Sequence, residues 1–386
     1  MMIIPPPQPI ERKLLYRGNT FDVSLVWMVL LLLGFGWVMV YSASSAYALA
    51  DRGNAYFYAI RHGAFLCIGL FFLWVTTKIP LKIWCSRSVM VLVCSLLLLA
   101  LVYFIGTEVN GARRWLRLGP VNIQASEVFK LAVIVYLSGF IMRRVHELSR
   151  LKRVWWVMLP IGLGLWLVLR EPDLGSVVVI SIIAVGLLFL AGLPWKWFGL
   201  TVLLGVLVIA ALIVSEPYRL VRVSTFLDPW QDPLNTGYQL SQSLMSIGRG
   251  YWKGMGLGAG IGQRFFLPEA HTDFIFAIIS EELGFIGGSL LAMCYGWLVW
   301  RAAAIGRQAH NLGQLFGSLL AYGVTIWVGV QSFFNIGVNM GLLPTKGLTL
   351  PLISYGGSSM VMMLIALGLL IRVDIENRMV IRGFRV

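Results

Sequence analysis

The chain has 386 residues, of which 58% are hydrophobic, 12% are charged and 41 are glycine; its mean hydropathy is +0.81. Soluble domains carry about 25% charged residues, so there is too little polar surface to cover a water-soluble body of 43 kDa. A large soluble enzyme, a disordered chain and a nucleic-acid-binding domain are disfavoured together, and the bilayer must be part of the solvent. The net charge of +14 fits basic residues gathered in cytoplasmic loops. Cys67, Cys85, Cys94 and Cys294 lie in or beside apolar runs without CxxC spacing. They read as buried small apolar residues, not as a disulfide framework or a zinc site.

In chain order, ten apolar runs are long enough, or nearly so, to cross about 30 Å of hydrocarbon. They lie near 23–42, 57–76, 84–105, 126–142, 154–169, 174–192, 195–215, 273–300, 316–340 and 350–371. The fold class expected is an all-α polytopic membrane protein of about ten transmembrane helices. Ala48-Leu49-Ala50 follows the first run, but that run is too long for a signal-peptide core and reads as an uncleaved signal anchor. With the N-terminus inside, the cytoplasmic segments hold 17 lysines and arginines against 11 outside, and five of the 11 lie in one long loop. Both termini are therefore expected inside. The chain divides into a cytoplasmic segment 1–21, a membrane domain 22–371 and a cytoplasmic tail 372–386. Two substantial loops fall outside, about 106–125 and about 216–272. The second, between spans seven and eight, is too long for a mere connector.

The polar residues near the outer face carry the chemistry. Asn110-Gly111-Ala112-Arg113-Arg114-Trp115-Leu116 sets two arginines beside a tryptophan. They are either interfacial residues or an anion clamp, since arginine forks match phosphate oxygens. Gln124-Ala125-Ser126-Glu127 opens the fourth span, with Lys130 one turn on. Glu127 and Lys130 share a helix face and can neutralise each other; ionisable groups at membrane depth also raise a functional reading. Glu171-Pro172-Asp173-Leu174-Gly175 reads as turn chemistry.

In the long loop, Tyr218–Val223 reads as an amphipathic stretch, Asp228–Pro233 as turns and Gly237–Ser243 as the start of an interfacial helix. The alternating Gly254, Gly256, Gly258, Gly260 and Gly262 lack the context of a nucleotide-binding loop and imply flexibility or close approach. Leu267–Phe274 leads into the eighth span and places Asp273 at its outer rim. Asp273 can favour the helix start or serve as a base where desolvation raises a carboxylate pKa. Glu281 and Glu282, two to three turns deeper, read as buried structural partners. Gln331, Asn335 and Asn339 form a stripe at i, i+4, i+8, which interhelical hydrogen bonding would explain. Leu343–Pro351 returns outside, and Ser354-Tyr355-Gly356-Gly357-Ser358-Ser359 permits close packing or approach of a lipid headgroup.

In this order and among ten spans, Asn110–Leu116, Gln124–Glu127, Glu171–Gly175, Gly237–Ser243, Leu267–Phe276 and Leu343–Ser359 resemble the SEDS family (shape, elongation, division and sporulation) of peptidoglycan glycosyltransferases. Leu267–Asp273 and Pro344–Thr349 resemble its division-type members more than its elongation-type members. Ala125 departs from the family's usual proline, which loosens the helix entry but removes no reactive group.

The resemblance implies polymerisation of lipid II into septal glycan strands on the outer face of the inner membrane, with Asp273 matching the catalytic aspartate. Lipid II needs a lipid-accessible groove, cations for its pyrophosphate and a base at headgroup level. The substrate-binding residues expected are Arg113, Arg114, Glu127, Lys130, His271, Lys346, Ser354 and Ser358. A divalent cation (Mg or Mn) at the pyrophosphate is compatible with this chemistry, although no ligand set stands out. The implied partners are lipid II, the growing strand and a class B penicillin-binding protein, FtsI, with FtsQ, FtsL, FtsB and FtsN around the pair. A lipid II flippase and a non-catalytic division scaffold remain as alternatives. A flippase needs a polar path through the bilayer, whereas the reactive-looking groups here crowd the outer rim; a scaffold would not need Asp273, Arg113 and Arg114 at one depth.

Overall fold

The computed structural model describes residues 20–109, 112–118, 121–144, 151–214, 221, 225–344 and 347–384. Helices form at each of the ten apolar runs: α1 (Val23–Arg52), α2 (Phe57–Lys78), α4 (Ser88–Ile105), α5 (Ala125–Arg144), α6 (Leu151–Arg170), α7 (Leu174–Leu190), α8 (Trp195–Val214), α10 (Ile275–Asn311), α11 (Leu315–Asn339) and α12 (Gly357–Ile381). Two further helices, α3 (Leu81–Ser86) and α9 (Tyr238–Arg249), lie between them. Among the described residues, seven helices (α1, α2, α4, α5, α10, α11 and α12) are long and apolar enough to cross a membrane, and shorter apolar helices lie within α6, α7 and α8. The first is closed at both ends by its own sequence. Asp22 accepts hydrogen bonds from the Ser24 and Leu25 amides, and Gly53 ends the helix in the left-handed region.

The core centres on α5 and α11. Phe129, Ile134, Leu137 and Ile141 of α5 and Trp327 of α11 are fully buried, while much of α8, including Leu203, Val206 and Leu207, is exposed. In lipid such exposure carries no penalty.

Three elements depart from the sequence reading. First, the outer segment near 106–125 folds as a three-stranded antiparallel sheet, β1 (Thr107–Val109), β2 (Ala112–Leu118) and β3 (Val121–Gln124), in the order β1-β2-β3. Alternation decides this: Leu116 is buried while Arg113 and Arg117 are exposed, as a period of two requires. Second, α12 starts at Gly357 instead of near 350 and runs to Ile381, through much of the segment read as a tail. Residues 347–356 form a non-helical loop whose Leu348, Leu350, Leu352 and Ile353 are buried inside the bundle, a site where irregular backbone is tolerated because protein satisfies it. Gly36 of α1 makes room for that loop, since a Cβ there would lie 2.7 Å from Ile353 Cα.

Third, α10 is two helices, broken at Gly284 (φ 69°, ψ −170°). The long loop docks into the break. Met255 N and Gly256 N donate to the Glu281 and Glu282 carbonyls, and Phe285 N and Ile286 N donate to Tyr251 and Trp252. A Cβ on Gly284 would lie 2.4 Å from Gly254 N, so only glycine fits this left-handed position. Glu281 and Glu282 therefore face the loop. Glu281 accepts from Gly262 N at 3.0 Å and pairs with Arg249 at 3.5 Å. Glu282 accepts from Ser42 Oγ at 2.6 Å. Of the amphipathic stretch Tyr218–Val223, all but Val221 lies outside the described residues.

The sheet, the 171–173 turn, the 347–356 loop and the segment before α10 gather at one end of the bundle. At the other end Asp22, Leu81, Arg301, Asp374 and Glu376 meet.

Candidate active site

Asp273 sits immediately before α10, partly exposed. Its backbone is held from below: the Asp273 carbonyl accepts from Asn335 Nδ2 at 2.8 Å and from Asn339 Nδ2 at 3.0 Å. Asn339 Oδ1 in turn accepts from Ala277 N at 3.1 Å, in the first turn of α10. Asn335 Nδ2 also donates to Leu348 O at 2.6 Å. The polar stripe of α11 therefore binds loop backbone more than it binds another helix. It sets the segment carrying Asp273 against the 347–356 loop, where a Cβ on Gly347 would come within 3.2 Å of the Asp273 carboxylate.

Behind the loop lies a buried ion pair. Lys130 Nζ is 2.8 Å from Glu127 Oε1 and 3.2 Å from Gln331 Oε1. Gln331 Nε2 donates to Thr349 O at 3.0 Å. Glu127, Lys130, Gln331 and the loop thus form one connected network that shares the loop and α11 with Asp273. Glu127 Oε2 is buried without a hydrogen-bond partner. A lone charge here would be costly, and the pair is retained because each partner satisfies the other.

The other expected residues separate. Arg113 and Arg114 are neighbours on β2, so their side chains leave opposite faces and do not converge on one anion. Arg113 is exposed and lies 3.5 Å from Glu108. Arg114 Nε and Nη2 donate to the Glu171 and Pro172 carbonyls at 2.9 and 2.7 Å. Ser354 Oγ accepts from Leu350 N at 2.8 Å. Ser358 Oγ accepts from Gln124 N at 3.1 Å and donates to Asn122 O. These two hydroxyls hold backbone in place. His271 stacks near Tyr58 and Tyr355, with centroids 4.6 and 5.6 Å away, and burial lowers its imidazole pKa against the opposing pull of Glu269. Lys346 lies outside the described residues.

The 171–173 turn holds a carboxylate that the sequence reading assigned to turn chemistry. Glu171 is 1% exposed and neither carboxylate oxygen has a partner. Burial, with the charge of Asp173 nearby and despite Arg114, pushes its pKa up to about 8. Its backbone turn chemistry masked this in the sequence; only the buried environment reveals it. Among the described residues, no group of three or more His, Cys, Asp or Glu side chains converges.

The site is thus a partly exposed aspartate with a clamped backbone beside a buried lysine network, at one end of a helix bundle. The model of the FtsW/RodA/SpoVE family, described as cell cycle proteins, matches residues 23–379. The chain belongs to this family. A Neisseria gonorrhoeae protein named "Probable peptidoglycan glycosyltransferase FtsW" is 48% identical, over 98% of this chain and 89% of its own. A Pseudoalteromonas translucida protein of the same name is 47% identical, over 94% of this chain and 91% of its own. Among solved structures, a chain from work on the structural coordination of polymerization and crosslinking by a peptidoglycan synthase complex aligns with TM-score 0.74 and 31% identity, covering 92% of this chain and 98% of that one. The Thermus thermophilus rod shape determining protein RodA aligns with TM-score 0.67 and 28% identity, covering 93% of this chain and 97% of that one. The residues matched by the family model include the sheet, the buried loop and the Asp273 segment.

Proposed function

We propose that this FtsW/RodA/SpoVE family member is a peptidoglycan glycosyltransferase that polymerises lipid II, with Asp273 as general base. The 4-hydroxyl of one saccharide attacks the anomeric carbon of another. Its proton passes to the Asp273 carboxylate, the new glycosidic bond forms, and the bond to the pyrophosphate breaks with polyprenyl diphosphate leaving. The base must be held in place while its carboxylate stays reachable. The observation that carries this reading is the double amide clamp on the Asp273 carbonyl, which fixes the backbone and leaves the side chain partly exposed. The Glu127–Lys130 pair holds Gln331 and the loop behind it, and so acts through position. Of the arginines read as a pyrophosphate clamp, Arg113 is the one whose face is exposed.

In this reading ten spans cross the inner membrane at the division septum. The sheet, the Asp273 segment and the loop of about 216–272 are periplasmic, and both termini are cytoplasmic. The collection of the outer segments at one end supports that topology, as does the basic bias of the opposite one. Resemblance to a chain of a peptidoglycan synthase complex supports pairing with a crosslinking class B penicillin-binding protein, here FtsI, with FtsQ, FtsL, FtsB and FtsN nearby.

The test is purified protein supplied with lipid II while the partner's transpeptidase is blocked. Glycan chains are the expected product. Lipid II moved across vesicles with no polymer would point to a flippase, and neither outcome would leave a scaffold.

A further inference from the structure

α1 has 30 residues, about 45 Å of helix, whereas the hydrocarbon core is about 30 Å thick. Measured from the polar cluster around Asp22, Tyr47 lies roughly 37 Å along, beyond the apolar layer. The chain then turns at Gly53 and returns as α2. This protruding hairpin carries a dense aromatic surface that leans on the segment holding Asp273.

Tyr47 and His271 stack with centroids 6.2 Å apart and planes 27° from parallel. Tyr58 lies 6.0 Å from Tyr47 and 4.6 Å from His271, and meets Tyr355 edge-on at 5.3 Å. The group is tied to the site through backbone, since Tyr355 N donates to His271 O at 2.9 Å, two residues before Asp273. Tyr47 keeps 42% of its surface exposed. A membrane-interface belt accounts for isolated tyrosines at headgroup level. It does not account for four rings from α1, α2, the 271 turn and the 347–356 loop packed together.

We infer that Tyr47, Tyr58, His271 and Tyr355 form a carbohydrate-stacking subsite that holds the N-acetylglucosamine–N-acetylmuramic acid unit beside Asp273. The inference rests on the glycosyltransferase reading above. The equatorially substituted pyranose ring presents a flat face of C–H bonds, which packs on an aromatic face while the hydroxyls at its edge stay hydrated. Aromatic rings supply such contact with little rotamer entropy to lose. The platform binds neutral sugar, so it complements rather than replaces cationic contacts to pyrophosphate.

The experiment uses full-length protein in nanodiscs and a lipid-free tetrasaccharide of the two aminosugars. Saturation-transfer NMR should carry magnetisation from aromatic protons to the sugar ring protons of the wild type. Transfer should fall about fivefold in Tyr47→Ala, recover in Tyr47→Trp and persist in Asp273→Asn, which removes the base and not the rings. Equal transfer in wild type and Tyr47→Ala, or none in wild type, would overturn the subsite. Polymerisation of lipid II by the same preparations separates the two sources of the sugar. Shorter chains from Tyr47→Ala at unchanged KM assign the platform to the growing strand, and a raised KM at unchanged chain length assigns it to incoming lipid II. Should wild type bind the tetrasaccharide yet make no polymer, the glycosyltransferase reading fails while the sugar site stands.

Discussion

At the end of the bundle away from Asp273, three buried carboxylates each accept from an arginine and from backbone. Asp22 takes Arg301 and the Leu25 amide, Asp374 takes Arg378 and the Asp22 amide, and Glu376 takes Arg372 and the Leu81 amide. The Asp273 end is organised differently. Asp374 and Glu127 each leave one oxygen unpartnered, but Glu171 leaves two, and Asp273 has its backbone clamped and is itself partly exposed. One end uses charge to lock α1, α3, α10 and α12 together. The other keeps Glu171 buried without hydrogen bonds, a state that costs stability, and leaves Asp273 partly exposed.

Removing single groups sharpens this contrast. The largest effect is expected from Lys130→Met, which strands Glu127 in a buried site and should destabilise the protein by about 3–5 kcal/mol, read as loss of folded protein on heating in detergent. Next, Asn335→Ala frees the Leu348 carbonyl and leaves the Asp273 carbonyl held by Asn339 alone. A base displaced by about 1 Å can cost about 100-fold in rate, so turnover should collapse with little change in KM. Asp374→Asn at the opposite end should reverse that signature, lowering the melting temperature while leaving turnover per folded molecule unchanged. If Asp374→Asn instead lowered turnover as much as Asn335→Ala, the division of labour between the ends would be wrong.

Glu171 gives a pH test. Its folded pKa of about 8 lies above the unfolded value of 4.5. Between those values the folded state keeps a proton that the unfolded state has released, so stability falls as pH rises through this window. Glu171→Gln should remove that slope and raise the melting temperature by a few degrees at pH 8, with no gain below pH 4.5; a parallel slope in both proteins would refute the assignment. The smallest effect belongs to Arg113→Ala. Its ion pair with Glu108 is exposed, and such pairs contribute roughly 0–1 kcal/mol. Stability should hold, and any change should appear as a raised KM for lipid II.

Helix existence was legible from the sequence because apolar length alone signals it: each of the ten runs carries a helix. Boundaries were less legible where tertiary contacts override composition. The run from 350 looked like the start of a span because Leu350, Leu352 and Ile353 are apolar, yet they are buried in a loop satisfied by Asn335, Gln331 and Tyr295. Arg113 and Arg114 read as either interfacial residues or a clamp, and the strand that sends neighbours to opposite faces was not visible in the run itself. The α11 stripe was visible at i, i+4, i+8, but its target, a loop backbone far along the chain, has no local signal. Glu281 and Glu282 were recognisable as buried structural partners; that Glu281 is held by Gly262 and Arg249 and Glu282 by Ser42 of α1 had no local signal.

The most direct test of the central claim compares wild type with Asp273→Ala in lipid II polymerisation, with the crosslinking partner present and its transpeptidase blocked. Both proteins should melt as folded, inserted species. The account predicts long glycan chains from wild type and a rate about a thousandfold lower from the variant. Chains of ordinary length at an ordinary rate from folded Asp273→Ala would contradict it.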